Sequence, residues 1–102
     1  MGTPENSESV TTSLQLEPIL GIESVTKFYE ELKALLDANQ PIALDGSAVE
    51  NIDTASLQLL TVFCLELQAR DIPFNWHEPS ETLRHSAAIT GLVDTLMLPE
   101  AA

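Results

Sequence analysis

The sequence has few basic residues, and this shortage excludes two classes of partner. Four Lys and Arg face sixteen Asp and Glu among 102 residues, which gives a formal net charge of −12. Binding to nucleic acid or to an anionic membrane depends on basic side chains that replace counterions on phosphate. We therefore expect neither partner. Residues 41–69 contain no Lys or Arg at all. This acidity either keeps the chain soluble or steers a basic protein surface towards this part of the chain.

Cysteine and long apolar runs are also scarce. The single cysteine, Cys64, cannot form an internal disulfide, and its apolar neighbours predict a buried side chain. The first ten residues lack the positive charge and the apolar stretch of a secretory signal. No apolar run approaches the ~20 residues that cross a bilayer. We expect a cytoplasmic protein without direct membrane insertion.

Signatures of enzymes and cofactors are few. The four glycines are scattered, so neither GxxxxGK[ST] nor GxGxxG is present to cradle a phosphate. Zinc sites need clustered ligands, and His77 and His85 lie far in the sequence from the cysteine. The sequence predicts no metal and no cofactor. A small hydrolytic enzyme using Asp45, Asp53 and His77 is an alternative that requires these three side chains to converge in a pocket.

Apolar residues at helical spacing predict three helices. They cover residues 23–38, Thr54–Ala69 and 80–90, and Asp53 and Ser80 are suited to cap the second and third. The middle helix is apolar on nearly every side. It is therefore either deeply packed or shares one face with another molecule.

Short apolar or alternating runs predict strands between these helices, and Pro73 indicates an edge position or an irregular start for the last strand. Strands that alternate with helices of this length imply an α/β fold with largely parallel neighbours. Residues 1–10 are polar and aperiodic, which predicts a flexible tail before a single domain at residues 11–102. The predicted strands are residues 13–16, 41–45 and 71–77, with an extended stretch at 49–52 and a short helix or strand within 92–98.

The segment at residues 45–57, DGSAVENIDTASL, contains the candidate functional residues. Asp45 is expected to accept backbone hydrogen bonds within it, Ile52 to anchor it inward, and Thr54 to expose its hydroxyl on the first helical turn. A phosphate on Thr54 would lie at the positive end of the helix dipole and add about −1.5 to −2 charges. Such a group suits the fold but repels a partner that accepts the unmodified loop. The spacing is also ordinary capping chemistry, so the residues alone leave both interpretations open.

Residues 42–57, IALDGSAVENIDTASL, resemble the core of STAS domains, a family that includes the anti-sigma-factor antagonists. In this segment and in the family, an apolar strand ends in Asp, a hydrophobic position follows, and Asp-Ser/Thr opens a helix. A second similarity lies at residues 89–92, ITGL, and continues into the apolar residues 96–98. The resemblance covers about residues 12–98.

This resemblance implies a small, mixed, mostly parallel sheet with helices packed mainly on one side, in a non-catalytic domain that binds proteins. Antagonist members of the family bind an anti-sigma kinase until it phosphorylates the Ser/Thr after the loop Asp, which corresponds to Thr54 here. The implied partners are an anti-sigma-type Ser/Thr kinase and a phosphatase, in bacterial signalling that regulates transcription. The implied loop and contact residues are Asp45, Gly46, Ser47, Asp53, Ser56 and Leu57.

A threonine at this position also resembles the STAS subunit of bacterial lipid-transport ABC complexes. There the domain docks on the transporter ATPase, and phosphorylation is not assumed. The chain departs from the family at two places. Ser56 stands where the family usually keeps glycine, and the N-terminal hairpin is short, with only residues 13–16 predicted as strand.

Overall fold

The computed structural model describes residues 11–99, so the predicted tail at 1–10 lies outside the described residues, as do residues 100–102. Strands and helices alternate along the described chain. The strands are β1 Thr12–Gln15, β2 Ile19–Leu20, β3 Ile42–Asp45, β4 Asn51–Ile52 and β5 Phe74–His77. The helices are α1 Val25–Ala38, which follows a 3₁₀ turn at Ile22–Ser24, then α2 Thr54–Ala69, α3 Glu81–Ile89 and α4 Val93–Leu96.

The main sheet contains three parallel strands in the order β1-β3-β5. The central strand is buried, with Ile42 and Leu44 at 2% and 0% exposure. Its last residue, Asp45, lies between Gln15 of β1 and His77 of β5 in the register. The predicted α/β fold with mostly parallel neighbours is confirmed. Strand β5 lies at an edge of the sheet, one of the two alternatives that Pro73 left open.

A second parallel ladder joins β2 to β4, and the sequence did not reveal β2 as a strand. Leu20 pairs with Ile52, and the amide of Asp53 donates to the carbonyl of Leu20 at 2.9 Å. Pro18 and Gly21 leave only two residues between them, which is too short for an alternating pattern to show. The ladder holds the chain before α1 beside the start of α2.

Helix α2 supplies much of the core, and its predicted bounds are confirmed. Buried residues recur along it every three or four positions, which places them on one face. The thiol of Cys64 is fully buried, as predicted. No helix within residues 11–99 combines the length and apolar character needed to span a membrane. The buried apolar residues of α1 and α2 are Phe28 and Leu32, and Leu57, Leu60, Phe63, Cys64 and Leu67.

The C-terminal part of the described chain is held by side-chain donors. The segment at 92–98 contains a short helix, whose Leu96 is fully buried. Backbone carbonyls at its end would otherwise lack partners. Two of them accept from side chains: Thr95 from Gln68 Nε2 at 3.1 Å, and Leu96 from Trp76 Nε1 at 2.8 Å. Beyond the helix, the carbonyl of Pro99 accepts from Arg84 Nη1 at 2.6 Å.

Candidate functional site

The segment between β3 and α2 begins with a hydrogen-bonded turn at Asp45. Its Oδ1 accepts from the backbone amide of Ser47 at 3.0 Å and from the Ser47 hydroxyl at 2.7 Å. Both bonds favour the charged carboxylate, so the backbone and side chain of Ser47, helped by nearby His77, hold the pKa of Asp45 below its ordinary value. Asp45 therefore organises the loop, and the Ser47 side chain is exposed beside it.

Gly46 fixes this turn against the rest of the domain. A Cβ at this position would lie 2.8 Å from Leu83 Cδ2 and 3.2 Å from Trp76 Cζ3. The carbonyl of Gly46 also accepts from the amide of Ser80 at 2.9 Å, at the start of α3. A side chain at position 46 would push α3 away from β3. Gly46 is buried, so it positions the loop and offers a partner little surface.

The start of α2 has the capping geometry that the sequence predicted. Asp53 is extended, with φ −87° and ψ 173°, and its Oδ1 accepts from the amide of Ser56 at 2.8 Å. Ile52, just before it, packs against the core. Thr54 is the first residue of α2, and its side chain is exposed. Asp53 therefore caps the helix, and Thr54 is exposed on its first turn.

The two predicted contact residues that follow point into the domain. Ser56 is 0% exposed, and its hydroxyl has no hydrogen-bond partner among residues 11–99. Leu57 is 3% exposed and belongs to the core. Both residues support the helix start from within. The side chains of segment 45–57 that reach the surface most freely are those of Ser47, Glu50, Asn51, Thr54 and Ala55.

The three side chains of the hydrolase alternative are only partly brought together. Asp45 and His77 are neighbours in the register of β3 and β5. Asp53 uses its carboxylate to cap α2, and no hydrogen bond within residues 11–99 joins it to either of the other two. In the same part of the chain, no group of three His, Cys, Asp or Glu side chains is arranged to hold a metal ion.

Large apolar side chains are exposed beside the start of α2. Ile19 of β2 and Ile22 of the 3₁₀ turn that follows it are 63% and 69% exposed. The backbone of β2 bonds to the amide of Asp53, which places both near Thr54. Sequence reasoning missed them because they lie in a two-residue strand and a 3₁₀ turn, where no periodicity develops. We call the exposed residues Ile19, Ile22, Ser47, Glu50 and Thr54 the docking face.

Comparison with known proteins identifies the family. The chain belongs to the STAS domain family, because the family model described as "Mlab, STAS domain" matches residues 4–99. Members of this family are generally non-catalytic and mediate protein–protein interaction. A comparison with curated proteins found no match.

A solved structure supports the same fold. The "NMR Structure of the protein TM1081" is similar to this chain with a TM-score of 0.72 and 22% sequence identity. The similarity covers 89% of this chain and 74% of that chain. At this identity the likeness shows the fold alone, and it agrees with the STAS architecture that the sequence predicted.

Proposed function

We propose that this STAS domain is a non-catalytic regulatory module that binds a protein partner through the docking face, with Thr54 at the centre of the contact. The exposed hydroxyl on the first turn of α2 carries this proposal. Asp53 is engaged as the cap and Ser56 is buried without access to solvent. Thr54 is therefore the hydroxyl at this helix start that another molecule can reach.

The surroundings of Thr54 have the composition of a contact surface. Ile19 and Ile22 provide exposed apolar area, and apolar anchors beside a polar group are typical of protein interfaces. Glu50 and Asp53 add negative charge, and no Lys or Arg occurs within residues 41–69. A partner with a basic surface would be attracted to this face.

A phosphate on Thr54 would act as a switch on this contact. It would lie at the amino-terminal end of α2, where the helix dipole favours an anion, so the fold would tolerate it. It would also add about −1.5 to −2 charges beside Glu50 and Asp53, which would weaken a contact made by the unmodified face. This behaviour fits an anti-sigma-antagonist-like domain in the cytoplasm, with an anti-sigma-type Ser/Thr kinase and a phosphatase as partners.

A permanent regulatory subunit of an ABC transporter ATPase is the second candidate. The exposed apolar residues favour it, because permanent complexes have more apolar interfaces than transient ones. The threonine at position 54, which resembles that subunit, also favours it. This candidate predicts stable co-purification with an ATPase and no requirement for phosphorylation.

Phosphorylation is tested with the full chain, the cognate kinase and ATP. We expect one added phosphate by intact mass, and Thr54→Ala should abolish it. Ser47→Ala and Ser56→Ala serve as matched controls and should still accept the phosphate. Modification that persists in Thr54→Ala and is lost in either control would contradict the assignment of Thr54.

A further inference from the structure

We infer that the groove between α1 and α2 binds an amphipathic helix of the partner, with basic residues of that helix at the end near Thr54. The inference rests on the proposed function, since it gives the same partner a second contact. It concerns a different surface, which begins at Ala55, next to Thr54 of the docking face, and extends away from that face.

The groove follows the two helices along most of their length. At one end it is lined by Val25 of α1 and Ala55 of α2, and at the other by Asp37 and Arg70. The two helices therefore run in the same direction. From Ala55 to Arg70 the groove is about 22 Å long at 1.5 Å per helical residue, enough for about four turns of a bound helix.

The middle of the groove is apolar, and its lining residues are regularly spaced. Tyr29, Leu59 and Val62 line both halves of it. Tyr29 and Val62 are 51% and 56% exposed, although both are large apolar residues. On each helix the lining residues recur every three or four positions, which forms the ridges that pack against a third helix. Exposed apolar area arranged in this way marks an interaction site.

The groove favours a helical occupant over an extended strand. The backbone groups of α1 and α2 are bonded within their own helices, so the groove offers side chains only. An extended segment placed there would lose water from its amides and carbonyls without gaining main-chain partners, which costs free energy. A helix satisfies its own backbone and can present one apolar stripe.

The distribution of charge sets the orientation of this helix. The half of the groove near Ala55 has no charged residue in its lining, and Glu23 and Asp53 lie just beyond it in the sequence. The lining of the other half includes two basic and two acidic residues, so their charges cancel. Basic residues of an occupant are therefore favoured at the Thr54 end. The four charged residues are Lys33, Asp37, Glu66 and Arg70, of which Glu66 and Arg70 form an ion pair at 3.2 Å.

Two other occupants fit the groove less well. A second copy of the chain would bring together two molecules of net charge −12 each, which repel one another. The chain's own residues 1–10, MGTPENSESV, contain two Glu, no base, and Met1 and Val10 as their large apolar side chains. That segment cannot supply an apolar stripe along the groove. A basic, amphipathic helix from a different protein matches both the surface and the charge.

The test uses two synthetic Leu/Lys peptides of about 14 residues, long enough for four helical turns. One has its leucines at helical spacing, and the other has the same composition with the leucines scrambled. Each is titrated into the full-length ¹⁵N-labelled chain while amide shifts are followed by NMR. We expect saturable shifts around Tyr29, Leu59 and Val62 with the first peptide and weaker, dispersed shifts with the second. Equal binding of both peptides, or shifts centred on α3 and α4, would overturn the inference.

Variants separate groove binding from simple attraction between charges. Val62→Ser should weaken binding of the first peptide about tenfold, the loss of one central apolar contact. Ile89→Ser, a matched change at a residue 72% exposed on α3, should leave it unchanged. Val62→Glu should also weaken binding, whereas non-specific attraction of lysines would strengthen it, and strengthening would overturn the inference. A dimer in sedimentation that Val62→Ser dissociates would assign the groove to a second copy.

Failure of this inference is distinguishable from failure of the proposed function. Helix binding in the groove is refuted if Val62→Ser does not change the peptide titration. Partner binding through the docking face is refuted if the native partner remains bound to Thr54→Glu. The two results come from different ligands and different variants, so either can occur without the other.

Discussion

The two faces of helix α2 carry the same kinds of residue and have opposite surroundings. Leu57, Leu60 and Leu67 on the inner face are 3%, 0% and 0% exposed. Val62 and Leu65 on the outer side are 56% and 49% exposed. Residue type alone therefore does not distinguish a core position from an exposed position on this helix. Packing against the rest of the fold decides which of these residues are buried.

This difference assigns separate roles to the two faces. Inner residues stabilise the domain, because their removal leaves a cavity among packed neighbours. Outer residues contribute little to folding while they remain in water, and they gain free energy only when another molecule covers them. Substitutions on the inner face should therefore change stability, and substitutions on the outer face should change binding.

The largest expected contrast is in thiol reactivity. Burial raises the pKa of Cys64 from 9.0 to about 12, so at pH 8 the reactive thiolate is about a thousandfold rarer than for an ordinary thiol. We expect negligible labelling of the folded chain by a thiol reagent and rapid labelling in urea. Cys64→Ala combined with Val62→Cys, which moves the thiol to the outer side, should label rapidly when folded. Fast labelling of the native chain would contradict the burial of Cys64.

The raised pKa of Cys64 also predicts a direction for stability against pH. The unfolded thiol ionises near its ordinary pKa of 9.0, whereas the folded thiol keeps its proton up to about 12. The contribution to folding is therefore fully present below pH 9 and is lost as the pH rises from there towards 12. Cys64→Ala should show a smaller loss of stability over this range in urea titrations.

Core packing gives the next largest effect. Leu60→Ala should lower the free energy of unfolding by about 3 kcal/mol, because the side chain is fully buried and its removal leaves a cavity. The matched change Leu65→Ala, at a residue 49% exposed, should cost less than about 1 kcal/mol. Urea unfolding followed by circular dichroism measures both. Equal losses would mean that the outer side is also covered within the folded monomer.

The cap of α2 predicts a smaller effect. Asp53→Ala removes the acceptor of the Ser56 amide and should cost about 1 kcal/mol. Thr54→Ala, at the neighbouring exposed position, should change stability by less than about 0.5 kcal/mol. Unfolding curves of the two variants separate the capping residue from the proposed contact residue. A larger cost for Thr54→Ala would show that Thr54 serves the fold and weaken its assignment to the docking face.

The smallest expected effect concerns Ser56. Its buried hydroxyl lacks a hydrogen-bond partner among residues 11–99, so Ser56→Ala should be neutral or stabilise the domain by up to about 1 kcal/mol. Ser56→Gly, which restores the residue usual in the family, loses helix propensity of about 1 kcal/mol relative to alanine. The midpoint of thermal unfolding of Ser56→Ala should equal or exceed that of the unchanged chain. Destabilisation by alanine would reveal a hydrogen bond that the hydroxyl makes in solution.

Much of the fold follows from local patterns in the sequence. The bounds of α2 were predictable because Asp53 supplies a cap and apolar residues continue at helical spacing to position 69. The strand β3 was predictable from its apolar run and its terminal Asp45. The pairing of β2 with β4 could not be predicted from local patterns. Each of these strands has only two residues, and the two strands are distant from each other in the sequence.

The candidate site was predictable in part for the same reason. Capping by Asp53 and exposure of Thr54 depend on the first turn of one helix, which the sequence specifies locally. The burial of Ser56 depends on which side of α2 meets the core, and a helix that is apolar on nearly every side does not reveal this. The groove beside Tyr29 and Val62 depends on two helices meeting, and so only the three-dimensional structure showed it.

The most direct test of the docking face is hydrogen exchange of the native full-length chain in complex with the partner that it retains from extracts of its own host. The complex is compared with the free chain, and Thr54→Glu and His85→Glu are run beside it as the variant and its exposed control on α3. We predict that partner binding protects amides of residues 45–57, that Thr54→Glu releases the partner, and that His85→Glu retains it. Protection confined to residues 71–99, with the partner still bound to Thr54→Glu, would contradict the assignment.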